Sequence, residues 1–233
     1  MDNIIKSLCV IPTRGGSVGV KDKNIRDLCG QPLIYYCLDA AQNNFTEVIV
    51  ASDSQDILDV AKQHSSYPET SKRLSEKTAV DMVCSVAKSK LYEKFDQIYW
   101  ILPPYVMIKN ETVNKFVKSF NQLITLDLAY TSIIAVTEVD FPPTLSLSND
   151  NKCLIPYLDH ENFHKKNTRR QDHYFPLRPT GLYGAKFEDF IKCQHFFTDY
   201  IYPFYIDKIE AHDIDNEDDF WIAEAIIWRK KDS

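Results

Sequence analysis

Short apolar runs alternate with amphipathic stretches along the first half of the chain. The runs at 7–11 (SLCVI), 47–51 (EVIVA) and 97–102 (QIYWIL) predict buried strands, and a fourth lies within 126–136. Hydrophobicity that is continuous rather than alternating is what a strand covered on both faces shows. Between these runs the apolar spacing predicts helices over 32–41, 55–63, 79–91 and 113–120. Strand and helix in alternation predict an α/β fold, a mostly parallel sheet with helices on both faces and so three layers. Ligands of such sheets collect beyond the carboxyl ends of the strands.

The regularity breaks near Asp140. Phe141-Pro142-Pro143 opens a polar, irregular stretch in which basic residues and histidines concentrate between His160 and His173. An excursion from the sheet at about 140–175, a candidate dimerisation arm, is the expectation. The chain returns with a strand-like 182–187 and His195-Phe196-Phe197, and a helix over 216–230 closes it. With no internal repeat or low-complexity linker, 1–233 is expected to form a single domain carrying that insertion.

Composition narrows the class. Hydrophobic residues make up 44% and charged residues 26%, the balance of a folded soluble protein. No apolar run approaches the roughly 20 residues that span a bilayer, and the start, MDNIIKSLCVIPTR, lacks the apolar core of a signal peptide. The net charge of −6 argues against general nucleic-acid binding. The six cysteines (Cys9, Cys29, Cys37, Cys84, Cys153, Cys193) form no C-x-x-C pair, so reduced, mostly buried thiols and a cytoplasmic location are expected.

The densest chemistry follows the first strand. VIPTRGGSVGVKDKNIR sets Gly15, Gly16 and Gly19 among Arg14, Lys21, Lys23 and Arg26. Glycines let the backbone bend and bring its N–H groups to an anion, and the cations strengthen those bonds. The loop matches neither the P-loop nor the G-x-G-x-x-G pattern, yet it points to a phosphorylated ligand. Asp213-Ile214-Asp215 precedes the last helix. Residues two apart in extended backbone share a side, so the pair suits Mg²⁺; alternatively the acids complement the helix amino terminus. Arg170 and Arg178 form either a clamp for an acidic substrate or a solvated basic surface. Phe196 and Phe197 line a pocket wall or belong to the core, and Ser52-Asp53 is a ligand-edge site or a turn. His160 and His164 have zinc-like spacing, but nothing of suitable spacing completes a zinc site.

In sequence order these pieces resemble the CMP-sialic acid synthetases, cytidylyltransferases that activate nonulosonic acids with CTP. The resemblance rests on Arg14-Gly15-Gly16-Ser17 with Lys23-Asn24, on Ser52-Asp53-Ser54, on Arg170-Gln171 with Arg178-Pro179, on Phe196-Phe197 and on Asp213-Ile214-Asp215. It implies a Rossmann-like nucleotidyltransferase fold, a homodimer formed through the insertion, and Mg²⁺ on Asp213 and Asp215. It implies further that Arg14, Lys23 and Asn24 hold CTP. Arg170 or Arg178 would hold the sugar carboxylate, with Phe196 and Phe197 against the acyl groups. Two positions depart from the pattern: Val18 stands where the family loop has lysine, and Leu102-Pro103-Pro104-Tyr105 replaces a Q-P-T-S segment. A nucleotidyltransferase for another acidic acceptor, and a catalytically weak nucleotide-binding homologue, remain as alternatives.

Overall fold

The computed structural model describes residues 5–17, 19–66, 72–75, 78–140, 143, 146–149, 153–157 and 176–231. The chain opens with β1 (Ser7–Thr13), a two-strand ladder of β2 (Asp27–Leu28) and β3 (Gln31–Pro32), then α1 (Leu33–Ala41) and β4 (Glu47–Ser52). Next come α2 (Gln55–Ala61), β5 (Lys72–Arg73), α3 (Ala79–Ser89), β6 (Gln97–Ile101), α4 (Asn110–Thr125) and β7 (Ser132–Glu138). Within the excursion β8 (Leu147–Asn149) pairs antiparallel with β9 (Leu154–Pro156). The chain then runs through β10 (Leu177–Lys186), α5 (Phe187–Cys193), β11 (Ile201–Tyr205) and α6 (Glu217–Lys231).

Seven strands form the main sheet in the order β11-β7-β10-β6-β1-β4-β5. Its pairings are parallel except those of β10, which runs antiparallel to both β6 and β7. The apolar runs explain the layering, because successive side chains leave opposite faces of a strand. Cys9, Ile11, Val50, Tyr99 and Ile101 pack under α1, α2 and α4. Leu8, Val10, Ile49, Ala51, Ile98 and Trp100 pack with α3 and α5 on the other face. The expected three layers are present. A smaller core sits at the carboxyl edge, where Phe220, Ala223 and Ile227 of α6 meet Val20, Leu28, Leu33, Val106, Met107 and Ile214. That core attaches the last helix to the loops after β1 and β6.

Several expected boundaries move. The strand expected within 126–136 is β7, beginning only at Ser132, because α4 runs on to Thr125. The strand-like 182–187 is the second half of β10, and His195-Phe196-Phe197 lies between α5 and β11 rather than in the sheet. Half of the cysteines depart from expectation: Cys9, Cys37 and Cys84 are buried, Cys29 is half-buried, and Cys153 and Cys193 are exposed. None of the six is in a disulfide. Arg170, His160, His164 and Val18 lie outside the described residues.

The amino end of β4 is fixed by a charge cluster. Lys90, only 8% exposed, lies 2.8 Å from the Glu47 carboxylate and 2.7 Å from that of Glu93. Burial disfavours the ammonium, yet the two carboxylates outweigh it and hold the Lys90 pKa above the ordinary lysine value. A raised lysine pKa gives stability that is complete below the unfolded-state value and lost as pH rises through the folded-state one. Removing the cation leaves Glu47 shielded from water without its partner. Lys90→Met is therefore expected to lower unfolding free energy by about 2–3 kcal/mol at pH 7, measured by urea denaturation. The gap from wild type should close as pH climbs past the lysine range.

Candidate active site

The strand ends converge on one edge. β1 delivers the glycine loop, β4 delivers Ser52-Asp53, β6 delivers Leu102-Pro103-Pro104, and the segment after β11 delivers Asp213 and Asp215. β10 contributes from its beginning, because an antiparallel strand starts where its neighbours finish. Leu177 pairs with Glu138 and Arg178 with Thr137, which sets Arg178 at this same edge.

The glycine loop is held from three sides. Asp53 Oδ1 accepts the Gly15 N–H at 2.6 Å, and Asn24 Nδ2 donates to the Arg14 carbonyl at 2.9 Å. Gly16 has φ +67°, a conformation that disfavours side chains. At Gly19 the constraint is contact, since a Cβ there would lie 1.9 Å from the Asp215 carbonyl oxygen. A turn of 3₁₀ helix, Lys23–Ile25, then aims Lys23 across the cleft. Its ammonium donates to the Ile214 carbonyl at 2.5 Å and stands 3.7 Å from Asp215 Oδ1. Lys23 therefore joins the first loop to the last, 191 residues away.

Between these loops lies a cleft of about 340 Å³, lined by Arg14, Gly16, Ser17, Lys23, Leu102 and Asp215 among others. A larger hollow, about 1030 Å³, opens at the opposite edge beside Gln97 and Lys186 and holds none of the glycine-loop or aspartate chemistry. The basic residues of the loop part company. Arg14 is exposed and lines the cleft. Arg26 is occupied elsewhere: its Nη1 lies 2.7 and 2.8 Å from the two Glu217 oxygens, and its guanidinium stacks 4.1 Å above the Phe220 ring. Asn24 is buried, so its amide shapes the loop.

The two aspartates are not helix caps. Asn216 and Asp219 cap α6 reciprocally: Asp219 Oδ2 accepts the N–H groups of Asp215 and Asn216, and Asn216 Oδ1 accepts that of Asp219. Ile214 is fully buried between the aspartates, with Asp215 exposed and Asp213 half-buried. Burial raises the Asp213 carboxyl above its ordinary value; the nearby Tyr105 hydroxyl opposes this, Asp215 adds to it, and Lys23 and Arg178 counter it. Asp213 Oδ1 is a buried acceptor with no partner among the described residues. One inner and one outer carboxylate, with an unpaired oxygen, form a donor set that fits Mg²⁺, which takes one or two carboxylates and fills its other positions with water and phosphate. Among the described residues no cluster of three or more metal-ligating side chains offers an alternative.

Around Asp213 the structure adds Tyr105, Tyr183 and Trp100 to the residues that the sequence pattern singled out. Tyr105 and Tyr183 both feel the Asp213 charge; burial, then that charge, pushes the Tyr183 phenol up to about 12. Arg178 donates to the Ala211 carbonyl at 2.5 Å and lies close enough to Asp213 to lower its pKa. Trp100 meets Tyr183 edge to face at 4.9 Å. The phenylalanine pair divides: Phe196 is buried against Phe190 and Trp100, while Phe197 is 53% exposed with its ring 6.0 Å from Tyr183. Phe196 is thus a core residue behind the aromatic wall, and Phe197 is the exposed member of the pair.

The sequence profile of the cytidylyltransferase family matches residues 8–137, more than half of the chain. The chain is 26% identical to an N-acylneuraminate cytidylyltransferase of Escherichia coli O18:K1:H7 over 97% of its own length and 53% of the relative's. It is 25% identical to a CMP-N,N'-diacetyllegionaminic acid synthase of Legionella pneumophila, covering 96% of this chain and 97% of that one. It thus spans about half the length of the E. coli relative and nearly all of the Legionella one. A CMP:2-keto-3-deoxy-manno-octonic acid synthetase solved with CTP superposes with a TM-score of 0.67 over 97% of this chain and 99% of that one, at 13% identity, which bears on the fold alone. With the profile extending from β1 to β7, through the glycine loop and three of the strand ends that build the cleft, the chain belongs to the cytidylyltransferase family.

Proposed function

We propose that this protein transfers the cytidylyl group of CTP to a nonulosonic, sialic-acid-like sugar acid, releasing pyrophosphate. The observation that carries the reading is the cleft in which the glycine loop, Lys23 and the Asp213–Asp215 pair meet beyond the strand ends. Arg14 and the loop N–H groups hold the triphosphate. The Lys23 ammonium fixes both walls and adds positive charge where the phosphates sit. Mg²⁺, when bound by Asp213 and Asp215, neutralises charge on the phosphoryl oxygens. Arg178, one residue inside β10, faces the acceptor side and pairs with the sugar carboxylate, with Arg170 of the excursion as a second cation for it. Phe197 packs against the acyl substituents. The acceptor hydroxyl attacks the α-phosphorus, the new C–O–P linkage forms as the bond to pyrophosphate breaks, and the hydroxyl proton is released. The excursion between β7 and β10 is the arm of a homodimer, and the protein works in the cytoplasm. No helix among the described residues is long and apolar enough to cross a membrane.

A second reading, transfer to a different acidic acceptor such as another 3-deoxy sugar acid, draws on one feature. Leu102, Pro103 and Pro104 line the cleft with no side-chain hydrogen-bonding group, where the family resemblance calls for polar ones.

Pyrophosphate release is expected only when CTP, Mg²⁺ and a 2-keto-3-deoxy sugar acid are all present, with the product mass naming the acceptor. Folded protein silent across a broad acid panel would refute the transfer. Gly19→Ala forces a Cβ into the Asp215 carbonyl and should reduce kcat/KM by at least about 100-fold, the scale of an approximately 1 Å misplacement, while circular dichroism stays native. Asp213→Asn should abolish turnover yet leave the ligand-free protein more stable than wild type at pH 7. The sign follows from the raised carboxyl pKa: the charged form costs the fold above its ordinary range, and the cost vanishes as pH falls through the raised value. Thermal melts of both proteins between pH 4 and 8 should show the difference shrinking towards acid.

A further inference from the structure

Arg178 reaches the site from a part of β10 that gives it little direction. Pro179 beside it brings no backbone N–H, and the ladder with β7 shifts register between Pro179 and Tyr183. What fixes the side chain is the segment after β11, where the guanidinium Nη2 donates to the Ala211 carbonyl at 2.5 Å. Where that carbonyl points therefore decides where the guanidinium points. The carbonyl belongs to a turn closed on itself. Asp207 Oδ1 accepts the N–H groups of Ile209 and Glu210 at 2.8 and 2.9 Å, and the Asp207 carbonyl accepts that of Ala211 at 3.0 Å. These bonds set the shape of the turn but not its place.

Its place is set from two sides. His212 Nε2 lies 2.9 Å from the Asp219 carbonyl and ties the turn to α6. Glu210 ties it to the start of α4, where Thr112 Oγ1 lies 2.8 and 2.9 Å from its two carboxylate oxygens and the Lys109 N–H points at Oε1 from 3.4 Å. Glu210 is only 6% exposed, and its charge complements the positive amino terminus of that helix. A carboxylate withdrawn from water costs the fold unless its oxygens are used, and here they are used to hold the turn. The geometry points to Glu210 as a positioning residue for Arg178: it anchors the turn on α4, and the Ala211 carbonyl of that turn takes one guanidinium nitrogen. The plane of the fork is thereby set for a carboxylate to accept from its other N–H groups. This rests on the cytidylyl-transfer reading, in which Arg178 pairs with the acceptor carboxylate, and adds to it a residue that never touches the acceptor. The aspartates further along are held separately, by the Lys23 bond to the Ile214 carbonyl and by the Ile214 N–H on the Pro104 carbonyl at 3.3 Å. Loss of Glu210 should therefore register on the acceptor and spare CTP.

The test is steady-state kinetics on wild type, Thr112→Val, Glu210→Gln, Glu210→Leu, Arg178→Lys and the Glu210→Leu/Arg178→Lys double variant. The acceptor is whichever acid turns over fastest in a panel of neuraminic, legionaminic, pseudaminic and 3-deoxy-octonic acids. Glu210→Leu should raise the acceptor KM about tenfold or more, the scale of one charged hydrogen bond, with the KM for CTP unchanged. Glu210→Gln keeps an accepting oxygen and should recover most of that loss. The double variant should be no worse than Arg178→Lys alone, because the two residues act as one unit. Thr112→Val keeps the side-chain shape and should show the same split on a smaller scale, whether or not Glu210→Leu folds. Additive losses in the double variant, equal rises in both KM values, or a wild-type acceptor KM in Thr112→Val would overturn the positioning role and leave cytidylyl transfer standing. A wild-type acceptor KM in Arg178→Lys would overturn Arg178 as the carboxylate partner, and the role of Glu210 with it. Folded wild-type protein that turns over none of the acids would instead remove the reading on which both rest.

Discussion

The site depends on one short contact, the Lys23 ammonium on the Ile214 carbonyl. The loop after the first strand and the loop before the last helix have no covalent reason to stay together. Lys23 closes the gap at 2.5 Å while keeping Asp215 within 3.7 Å, and the absent side chain of Gly19 lets the two backbones touch. Behind them Arg26 grips Glu217 and stacks on Phe220, so α6 is fastened to the same loop a second time. The small core of Val20, Leu28, Leu33 and the α6 residues excludes water from beneath these bonds and strengthens them. Cleft and core are thus two sides of one arrangement.

That arrangement gives the cations of the loop different tasks. Pattern alone counts Arg14, Lys21, Lys23 and Arg26 as equivalent positive charges beside a phosphate site. In the fold, Arg26 is neutralised by a carboxylate and Lys23 bridges two walls, so Arg14 is the loop cation that lines the cleft while exposed. The same sorting separates Phe196, deep in the core, from Phe197 at the surface.

Much of the frame was legible in the chain. β1, β4 and β6 announce themselves because burial on both faces demands unbroken apolar runs, and the helices between them carry clear periodicity. β11 escaped because its IYPFY segment holds a proline and an exposed tyrosine, Tyr205, as an edge strand tolerates. The first half of β10 was hidden by Arg178 and Pro179, which sit where the strand meets the ligand edge. In the site, residues of recognisable charge at the strand ends could be named in advance. Tyr105 could not, because an aromatic in a proline turn reads as packing until Asp213 is seen beside it. Nor could the Arg26–Glu217 pair, whose partners lie 191 residues apart.

The antiparallel course of β10 has a further consequence. Glu138 and Leu177 face each other across the ladder and Val139 N–H donates to the Pro176 carbonyl just beyond, so the whole stretch between them enters and leaves the sheet at one point, as the loop of a hairpin does. Closing such a loop costs only about 0.6 kcal/mol more for each doubling of its length. The stretch can therefore be lengthened, shortened or rewritten over evolutionary time while the strands that carry the nucleotide end stay in register. Arg178 stands one residue inside that junction. Whatever that stretch becomes, it joins the sheet beside Arg178, so any change in it reaches the strand-end edge through that one arginine.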